Sequence, residues 1–189
     1  MLKLKRSDEN YADLSINLHK RLRGGYVMRY HITPEVGNGQ NVGEHTWRAC
    51  VILHTLWPDA SRDALLHMMY HDVAEAELGD LPAPVKWKYE GLAKEYTKAE
   101  KDYEVALGVH SSLNKQDAER CKMADMLELI LHCARQLMLG NNYALHVYKN
   151  GLRYMYGTFQ TSKDFPPVQR VLDDIQNAID GQDTLQRAL

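Results

Sequence analysis

This chain has 189 residues, of which 44% are hydrophobic and 25% are charged, a composition typical of one soluble globular domain with a sizeable core. Its net charge of −2 argues against a general nucleic-acid binder, which is usually strongly basic. No apolar run reaches the length that spans a bilayer, and Met1–Arg6 are not followed by the apolar segment of a signal peptide. We therefore expect no nucleic-acid partner and no membrane partner.

The cysteines indicate a reducing compartment. Cys50, Cys121 and Cys133 are odd in number, fall inside helical patterns and form no Cys-x-x-Cys motif. This usage is typical of small buried side chains rather than of disulfides. We expect a cytoplasmic protein.

The spacing of apolar residues predicts a first helix with Ser7 as its N-cap and Gly24-Gly25 at its end. Its apolar face consists of Tyr11, Leu14, Leu18 and Leu22. Residues 26–42 contain proline and several glycines and do not form a regular helix. A loop of this length is often functional, and the alternative is a surface excursion that covers the core.

The rest of the chain also has helical periodicity. A second helix is predicted from about Gly43 to Trp57, and a third, capped by Asp59 or Ser61, runs to Leu78. Residues 80–87 are predicted to form a proline-bearing turn. Four more helices are predicted over residues 92–107, 114–139, 141 or 142 to about 159, and 166–179. With no strand pattern, repeat or linker, the prediction is an all-α fold, a single-domain helical bundle of about six to eight helices.

One stretch of the third predicted helix has the residue types of a metal site. His71 and Asp72 are adjacent, and an imidazole nitrogen and a carboxylate oxygen at neighbouring positions can bind one divalent ion. His45 and Asp125, each in another predicted helix, complete a set of two imidazoles and two carboxylates. This set suits zinc, manganese, cobalt or iron(II) better than calcium, and magnesium is a further candidate. Such an ion supports the hydrolysis of phosphate esters.

Each predicted ligand also has a structural interpretation. Hydrogen-bonded His-Asp pairs are common in protein cores, so His71-Asp72 alone is weak evidence for a metal. Asp125 could instead be the ion-pair partner of Arg48 or Lys122. The occurrence of all four residues inside helical patterns favours the metal site.

Two further carboxylates follow the His-Asp pair. Glu75 comes four residues after His71 and shares its helix face, while Asp80 follows the glycine that ends the helix. Either carboxylate could hold the attacking water or, when protonated, assist the leaving oxygen of a phosphate ester. The sequence does not decide which one is the acid. The alternatives are a solvated helix position for Glu75 and a turn residue for Asp80.

Arg29 and Lys86 are the predicted phosphate-binding cations, with Lys88 and Lys122 as weaker candidates. The planar fork of arginine suits bidentate binding of phosphate, and lysine supplies a compact charge. Arg29 lies in the non-helical segment that leads to the His45 helix, and Lys86 follows the proline-bearing turn. If these two segments meet over the metal, the site acquires positive charge that the net charge conceals.

The order His, His-Asp, Asp resembles the signature of the HD-domain metal-dependent phosphohydrolases. The run His71-Asp72-x-x-Glu75-x-x-x-Gly79-Asp80-Leu81-Pro82-x-Pro84-x-Lys86 is similar to the 5'-deoxynucleotidase, YfbR-like branch. Within that branch, Arg29-Tyr30-His31-Ile32 resembles an Arg-Trp-His-x motif of the phage dATP triphosphohydrolases of the DatZ type, with tyrosine in place of tryptophan. The resemblance covers roughly Gly25 to Leu139.

The resemblance implies one HD domain over residues 1–189 and functional roles for Glu75 and Asp80. It also implies a nucleoside pocket with Tyr30 and Ile32 as walls, in which the apolar side chain at Ile32 rejects a purine 2-amino group; for Ile32, packing in the core is the alternative. A proline of the turn lines the pocket, Pro84 being favoured over Pro82. Trp47 and Trp87 are expected to be packing residues.

The activity that the resemblance implies is hydrolysis of deoxynucleoside 5'-phosphates, with dATP as the preferred substrate and deoxyadenosine and triphosphate as products. The alternatives are a general 5'-deoxynucleotidase acting on dNMPs, a phosphodiesterase or alarmone hydrolase, and a non-catalytic nucleotide-binding module. A homo-oligomer, either a dimer or a hexamer, is expected. If the chain is phage-encoded, it acts in the host cytoplasm and depletes the adenine precursor, consistent with a genome that carries 2-aminoadenine.

Overall fold

The computed structural model describes the backbone of residues 8–181 and the side chains of residues 13–181. Within these residues the chain forms nine helices and no strand. The helices are α1 Asp8–Gly24, α2 Val42–Leu56, α3 Arg62–Tyr70, α4 Glu75–Leu78, α5 Ala83–Lys88, α6 Glu90–Ala106, α7 Lys115–Met138, α8 Ala144–Phe159 and α9 Pro166–Ile179. Seven of them have nine residues or more, and α4 and α5 are short. The prediction of an all-α fold is confirmed.

Local sequence signals explain where several helices begin. Asn114 caps α7 by accepting a hydrogen bond from the backbone N–H of Asp117 at 2.8 Å, and Asn41 caps α2 in the same way. Proline in the first turn starts α9 at Pro166, where its fixed φ and missing N–H cost nothing. The predicted N-cap of α1, Ser7, lies outside the described residues.

Two predicted boundaries are wrong. The third helix does not continue to Leu78: α3 ends at Tyr70, residues 71–74 form a turn, and α4 begins at Glu75. In this turn the N–H of Val73 donates to the carbonyl oxygen of Tyr70 at 2.9 Å, and the N–H of Glu75 donates to the carbonyl oxygen of Asp72 at 3.1 Å. These hydrogen bonds span three residues instead of the four of an α-helix, so the α-helix is interrupted here. Residues 83–88, predicted as part of a turn, form the short helix α5, which tolerates proline in its first turn.

The core surrounds α7. This helix packs against α2, α3, α8 and α9, and apolar side chains from all five helices form one core cluster. The largest fully buried apolar side chains are Leu53, Met68, Met123, Leu127, Ile130, Met155 and Val168. Tyr148 and Met155 of α8 belong to this core. Cys121 and Cys133 are also buried there as free thiols, as predicted.

The remaining helices lie at the edge of the bundle. The predicted apolar face of α1 is largely exposed at Leu14, Leu18 and Leu22. Helix α6 has no buried residue and contacts α4 and α5. Among the described helices, none combines the length and the apolar character that crossing a membrane requires.

Candidate metal centre

Three separate elements bring the four predicted ligands together. His45 lies on α2, His71 and Asp72 lie in the turn between α3 and α4, and Asp125 lies on α7. His45, His71 and Asp72 each offer one ligand atom, and these atoms lie within 4.8 Å of one another. The Oδ1 atom of Asp125 is 3.3 Å from Nε2 of His45 and 3.8 Å from Nε2 of His71. A single cation can contact all four side chains.

Hydrogen bonds on the far side of each imidazole fix its orientation. Nδ1 of His45 is 2.6 Å from Oε2 of Glu128, which is almost fully buried, and Nδ1 of His71 is 2.9 Å from the carbonyl oxygen of Met68. Both Nε2 atoms therefore point into the centre, where they lie 3.3 Å apart. Metal-binding histidines are held by such partners, which select the tautomer that presents a free lone pair.

The charges at the centre call for a cation. Burial lowers the pKa of His71, but the carboxylates of Asp72 and Asp125 outweigh burial and raise this pKa to about 9. The pKa values of Asp72 and Asp125 are lowered by the cations around them, in spite of burial. A divalent ion takes the place of a proton in such a cluster, and two imidazole and two carboxylate donors suit a transition metal. The residues present fit the predicted ion.

Glu75 and Asp80 lie beside this centre. The Glu75 side chain is buried, and its Oε2 atom has no hydrogen-bond partner among the residues that the structure describes. Burial, together with the charges of Asp72 and Asp80, raises the pKa of Glu75 to about 8. Asp80 is more accessible, and its Oδ2 atom is 3.5 Å from Nδ1 of His31. Glu75 is therefore not the solvated helix position that was its alternative.

The two predicted phosphate-binding cations have different partners. Nη1 of Arg29 is 2.5 Å from Oδ2 of Asp72. Nζ of Lys86 is 3.8 Å from Oε1 of Glu100 and lies over the ring of Tyr96, 5.0 Å from its centroid. Arg29 thus touches a predicted metal ligand, while α6 holds Lys86 through side chains that the sequence did not identify.

A cavity of about 330 Å³ lies next to His71 and Asp125. Its other lining residues are His67, Met68, Ser111, Leu113, Ala118, Cys121 and Lys122. Nζ of Lys122 is 2.8 Å from Oδ2 of Asp125, the ion pair considered as the alternative role of Asp125. This pair leaves Oδ1 of Asp125 facing the two histidines, so it is compatible with metal binding.

The predicted pocket residues differ in their surroundings. The ring of Tyr30 stacks on that of His132, with 4.8 Å between centroids and 3° between planes. Ile32 is 62% exposed, which excludes the alternative that it packs in the core. Pro84 is exposed on α5. Trp47 and Trp87 are largely exposed, so the expectation that they are packing residues is wrong.

Sequence reasoning did not identify several residues that hold the site. Glu128 orients His45, and Nε2 of Gln40 donates to Oε1 of the same carboxylate at 2.7 Å. Buried polar residues inside an apolar helix face are rare unless they are paired. The sequence did contain one signal for such a residue: Glu128 lies four residues before His132 on a helix whose length and apolar stripe predict burial.

Comparison with known proteins places the chain in a family. The profile of the YfbR-like 5'-deoxynucleotidases matches residues 25–169. A 5'-deoxynucleotidase from Vibrio parahaemolyticus is 34% identical over 131 residues, which cover 54% of this chain and 66% of that protein, just under two thirds of its length. A 5'-deoxynucleotidase from Photobacterium profundum is 29% identical over 165 residues, which cover 74% of this chain and 81% of that protein.

Two solved structures share the fold. The HD phosphohydrolase DatZ of cyanophage S-2L, bound to dA and one catalytic Zn²⁺ ion, has a TM-score of 0.68 at 22% identity, with 86% of this chain and 96% of that chain covered. A protein from Pyrococcus horikoshii OT3 has a TM-score of 0.58 at 15% identity, with 85% and 97% covered. The HD-domain resemblance is thereby confirmed at the level of the fold. Because the family profile matches most of its length, the chain belongs to the YfbR-like 5'-deoxynucleotidase family.

Proposed function

We propose that this chain is a divalent-metal-dependent phosphohydrolase that acts on deoxynucleoside 5'-phosphates. The observation that carries the proposal is the centre itself: two imidazoles with oriented Nε2 atoms and two carboxylates, contributed by three elements. Membership of the YfbR-like family and the names of the relatives from Vibrio and Photobacterium support the substrate class. A structural protein has no need for this combination of buried charges.

The proposed roles follow from the chemistry of each side chain. His45, His71, Asp72 and Asp125 hold the ion, which when bound lowers the pKa of a water molecule and polarises a phosphoryl oxygen. Arg29 exchanges its contact with Asp72 for the phosphate oxygens, and Lys86 neutralises further phosphate charge. Glu75 and Asp80 are the acid–base pair: one carboxylate holds the attacking water, and the other delivers a proton to the 5'-oxygen that leaves.

For the substrate itself, we propose dATP, converted to deoxyadenosine and triphosphate. The shared fold with DatZ, whose structure contains dA, supports the adenine nucleoside. The exposed side chains of Ile32 and Pro84 are free to line a nucleoside pocket, to which Tyr30 contributes its edge. The cavity beside Asp125, with Lys122 at its wall, offers room and charge for the additional phosphates of a triphosphate. A general activity on dNMPs is the second candidate, supported by the names of the family relatives.

Product analysis tests both proposals. Purified protein is incubated with a panel of dNTPs, dNMPs and ribonucleotides, separately with Mn²⁺, Co²⁺, Zn²⁺ and Mg²⁺, and Asp72→Ala is the inactive control. Deoxyadenosine and triphosphate from dATP, with little product from dGTP or ATP, support the dATP triphosphohydrolase. Cleavage of several dNMPs with dNTPs untouched assigns the general nucleotidase. No turnover with any ion, alongside tight nucleotide binding, contradicts both and leaves the non-catalytic module.

We also propose that the chain forms a homo-oligomer, a dimer or a hexamer. The support is the row of exposed leucines on α1, Leu14, Leu18 and Leu22, which recur every four residues on one helix face. Light scattering coupled to gel filtration gives the mass. We expect a multiple of 21.7 kDa and a smaller species for Leu18→Glu. A monomeric wild-type protein contradicts the proposal.

A further inference from the structure

Helix α7 carries a row of three buried polar side chains, of which the metal centre accounts only for Glu128, the partner of His45. Glu128, His132 and Gln136 recur every four residues and are 1%, 7% and 5% exposed. We call these three residues the α7 polar face. Because a buried polar group is costly unless it is paired, each member needs a fixed partner.

Each member has a partner in one segment, residues 26–41, here called the substrate loop because it contains Arg29, Tyr30 and Ile32. Glu128 accepts a hydrogen bond from Nε2 of Gln40 at 2.7 Å. His132 is paired with the carboxylate of Glu35. Gln136 binds both backbone groups of Val36, accepting from its N–H at 2.8 Å and donating to its carbonyl at 3.2 Å. The α7 polar face thus holds the substrate loop at three successive helical turns.

The middle member of this face contacts Tyr30, one of the predicted substrate-binding residues. The ring of His132 stacks in parallel on that of Tyr30, 4.8 Å away. Tyr30 has a φ of +55°, a conformation that is uncommon for a residue with a β-carbon and that the surroundings must maintain. The guanidinium carbon of Arg29 lies 5.6 Å from the centroid of the same tyrosine ring, and Arg29 reaches Asp72. Contacts therefore run from Glu35 through His132, Tyr30 and Arg29 to the metal centre.

We infer that His132 is a positioning residue for substrate phosphate: by stacking on Tyr30 while paired with Glu35, it holds Tyr30 in its left-handed conformation and so aims Arg29 at the metal centre. The inference rests on the proposed function, in which Arg29 binds phosphate. The alternative is that His132 only anchors the loop, as one of several structural contacts. Under that alternative, replacing His132 changes KM by the same factor whether Arg29 is present or absent.

A double-mutant cycle separates these roles. His132→Ala, Arg29→Ala and the double variant are compared with wild type for kcat and KM on the best nucleotide of the panel. We expect His132→Ala to raise KM by about 10-fold with a smaller change in kcat, because a phosphate contact is misplaced. In the Arg29→Ala background the same substitution should change KM by less than about 2-fold, since coupled residues are not additive. His132→Phe, which keeps a ring for stacking but loses the contact with Glu35, should restore part of the loss.

The control for general destabilisation is Gly151→Ala, which crowds Leu129 and Ile130 where α8 packs on α7 and should leave KM unchanged. If His132→Ala fails to fold, Glu35→Ala removes the same support from the loop side. An equal effect of His132→Ala with and without Arg29 overturns the inference. So does an unchanged KM in folded His132→Ala or Glu35→Ala protein.

A second readout does not depend on turnover. Calorimetric binding of dATP and of deoxyadenosine in EDTA reports the phosphate contact separately from the nucleoside contact. His132→Ala should weaken dATP binding by about 10-fold and deoxyadenosine binding by less than about 3-fold, because Tyr30 borders the nucleoside while Arg29 binds only the phosphates. Equal weakening of both ligands overturns the inference. If the wild type hydrolyses no deoxynucleotide, the proposed function fails, while this measurement still decides the role of His132.

Discussion

At the candidate metal centre, each imidazole has one nitrogen bound to a fixed partner and the other free for an ion. The two partners differ in kind. His71 bonds to the carbonyl of Met68 in the last turn of the preceding helix α3, whereas His45 bonds to the carboxylate of Glu128 on α7. A carboxylate partner also raises the basicity of the ring, so Glu128 should contribute to metal affinity without touching the ion.

Glu128→Gln tests this contribution. The amide keeps the shape of the side chain but removes its charge, so the affinity for Mn²⁺ or Zn²⁺ should fall by about 10-fold. Glu44→Gln is the matched control, because Glu44 is a more exposed carboxylate on α2 whose side chain pairs with Arg48. Titration calorimetry on metal-free protein gives both affinities. Unchanged affinity in Glu128→Gln would show that the carboxylate acts only as a structural anchor.

Glu75 predicts a pH dependence of stability in the metal-free protein. Burial and the charges of Asp72 and Asp80 raise its pKa from 4.5 to about 8. Between these values the folded protein holds a proton that the unfolded chain releases, so the contribution of Glu75 to stability is present at low pH and is lost as the pH rises towards 8. Above pH 8 the loss is complete.

Urea unfolding of wild type and Glu75→Gln in EDTA, from pH 5 to pH 8, measures this loss. The neutral amide does not titrate, so the variant should gain stability relative to wild type as the pH rises, by at most about 1.4 kcal/mol per pH unit. His71 titrates in both proteins, and its contribution largely cancels. A difference that does not change with pH would mean that the Glu75 carboxyl is ionised throughout.

At the scale of elements, the approach of α8 to α7 depends on a glycine. A β-carbon at Gly151 would lie 2.9 Å from Cγ1 of Ile130 and 3.2 Å from Cδ2 of Leu129. At Gly157, six residues further along the same helix, a β-carbon would have no neighbouring atom within 4 Å. The two glycines therefore share one helix and differ in the space around them.

Alanine at these two positions should have opposite effects on stability. Gly151→Ala forces α8 away from α7 and should lower the free energy of unfolding by about 1–3 kcal/mol. Gly157→Ala should raise it by about 0.5–1 kcal/mol, because alanine loses less backbone entropy in a helix. Urea unfolding of both variants checks the signs. Stabilisation by Gly151→Ala would contradict the packing of these helices.

The elements that could be predicted from the sequence are those with local signals at their ends. Asn114 and Pro166 mark the starts of α7 and α9 within one residue. The break between α3 and α4 carries no such signal, because apolar spacing continues through it and hydrogen bonds at the His-Asp turn decide it. The path of the substrate loop could not be predicted from the sequence either, because its backbone is held by side chains such as Gln136, about 100 residues away.

At the scale of the whole molecule, the metal centre joins parts of the chain that are far apart in sequence. His45 and Asp125 belong to α2 and α7, the two helices whose packing forms much of the core, and the His-Asp turn ends a third. An ion at this centre is a cross-link that exists only in the folded state. Metal binding and global stability should therefore be linked.

A thermal unfolding series measures this link. At a free ion concentration of about 100 times Kd, binding to the folded state alone adds about 2.7 kcal/mol to stability. For a chain of this size, this corresponds to a rise in Tm of about 5–10 °C over protein in EDTA. Asp125→Asn should lose most of this rise, because it removes a ligand from α7. His54→Ala, which removes an exposed histidine from α2, should keep it.

The comparison of these variants distinguishes an ion bound at the candidate metal centre from ions bound elsewhere on the protein. A rise that survives in both Asp125→Asn and Asp72→Asn would come from ions bound at other sites, and the centre described above would not be the metal site. No rise in the wild type with any of Mn²⁺, Co²⁺, Zn²⁺ or Mg²⁺ would contradict metal binding itself. Loss of the rise in both ligand variants, with His54→Ala unaffected, would establish that one ion couples α2, α7 and the His-Asp turn.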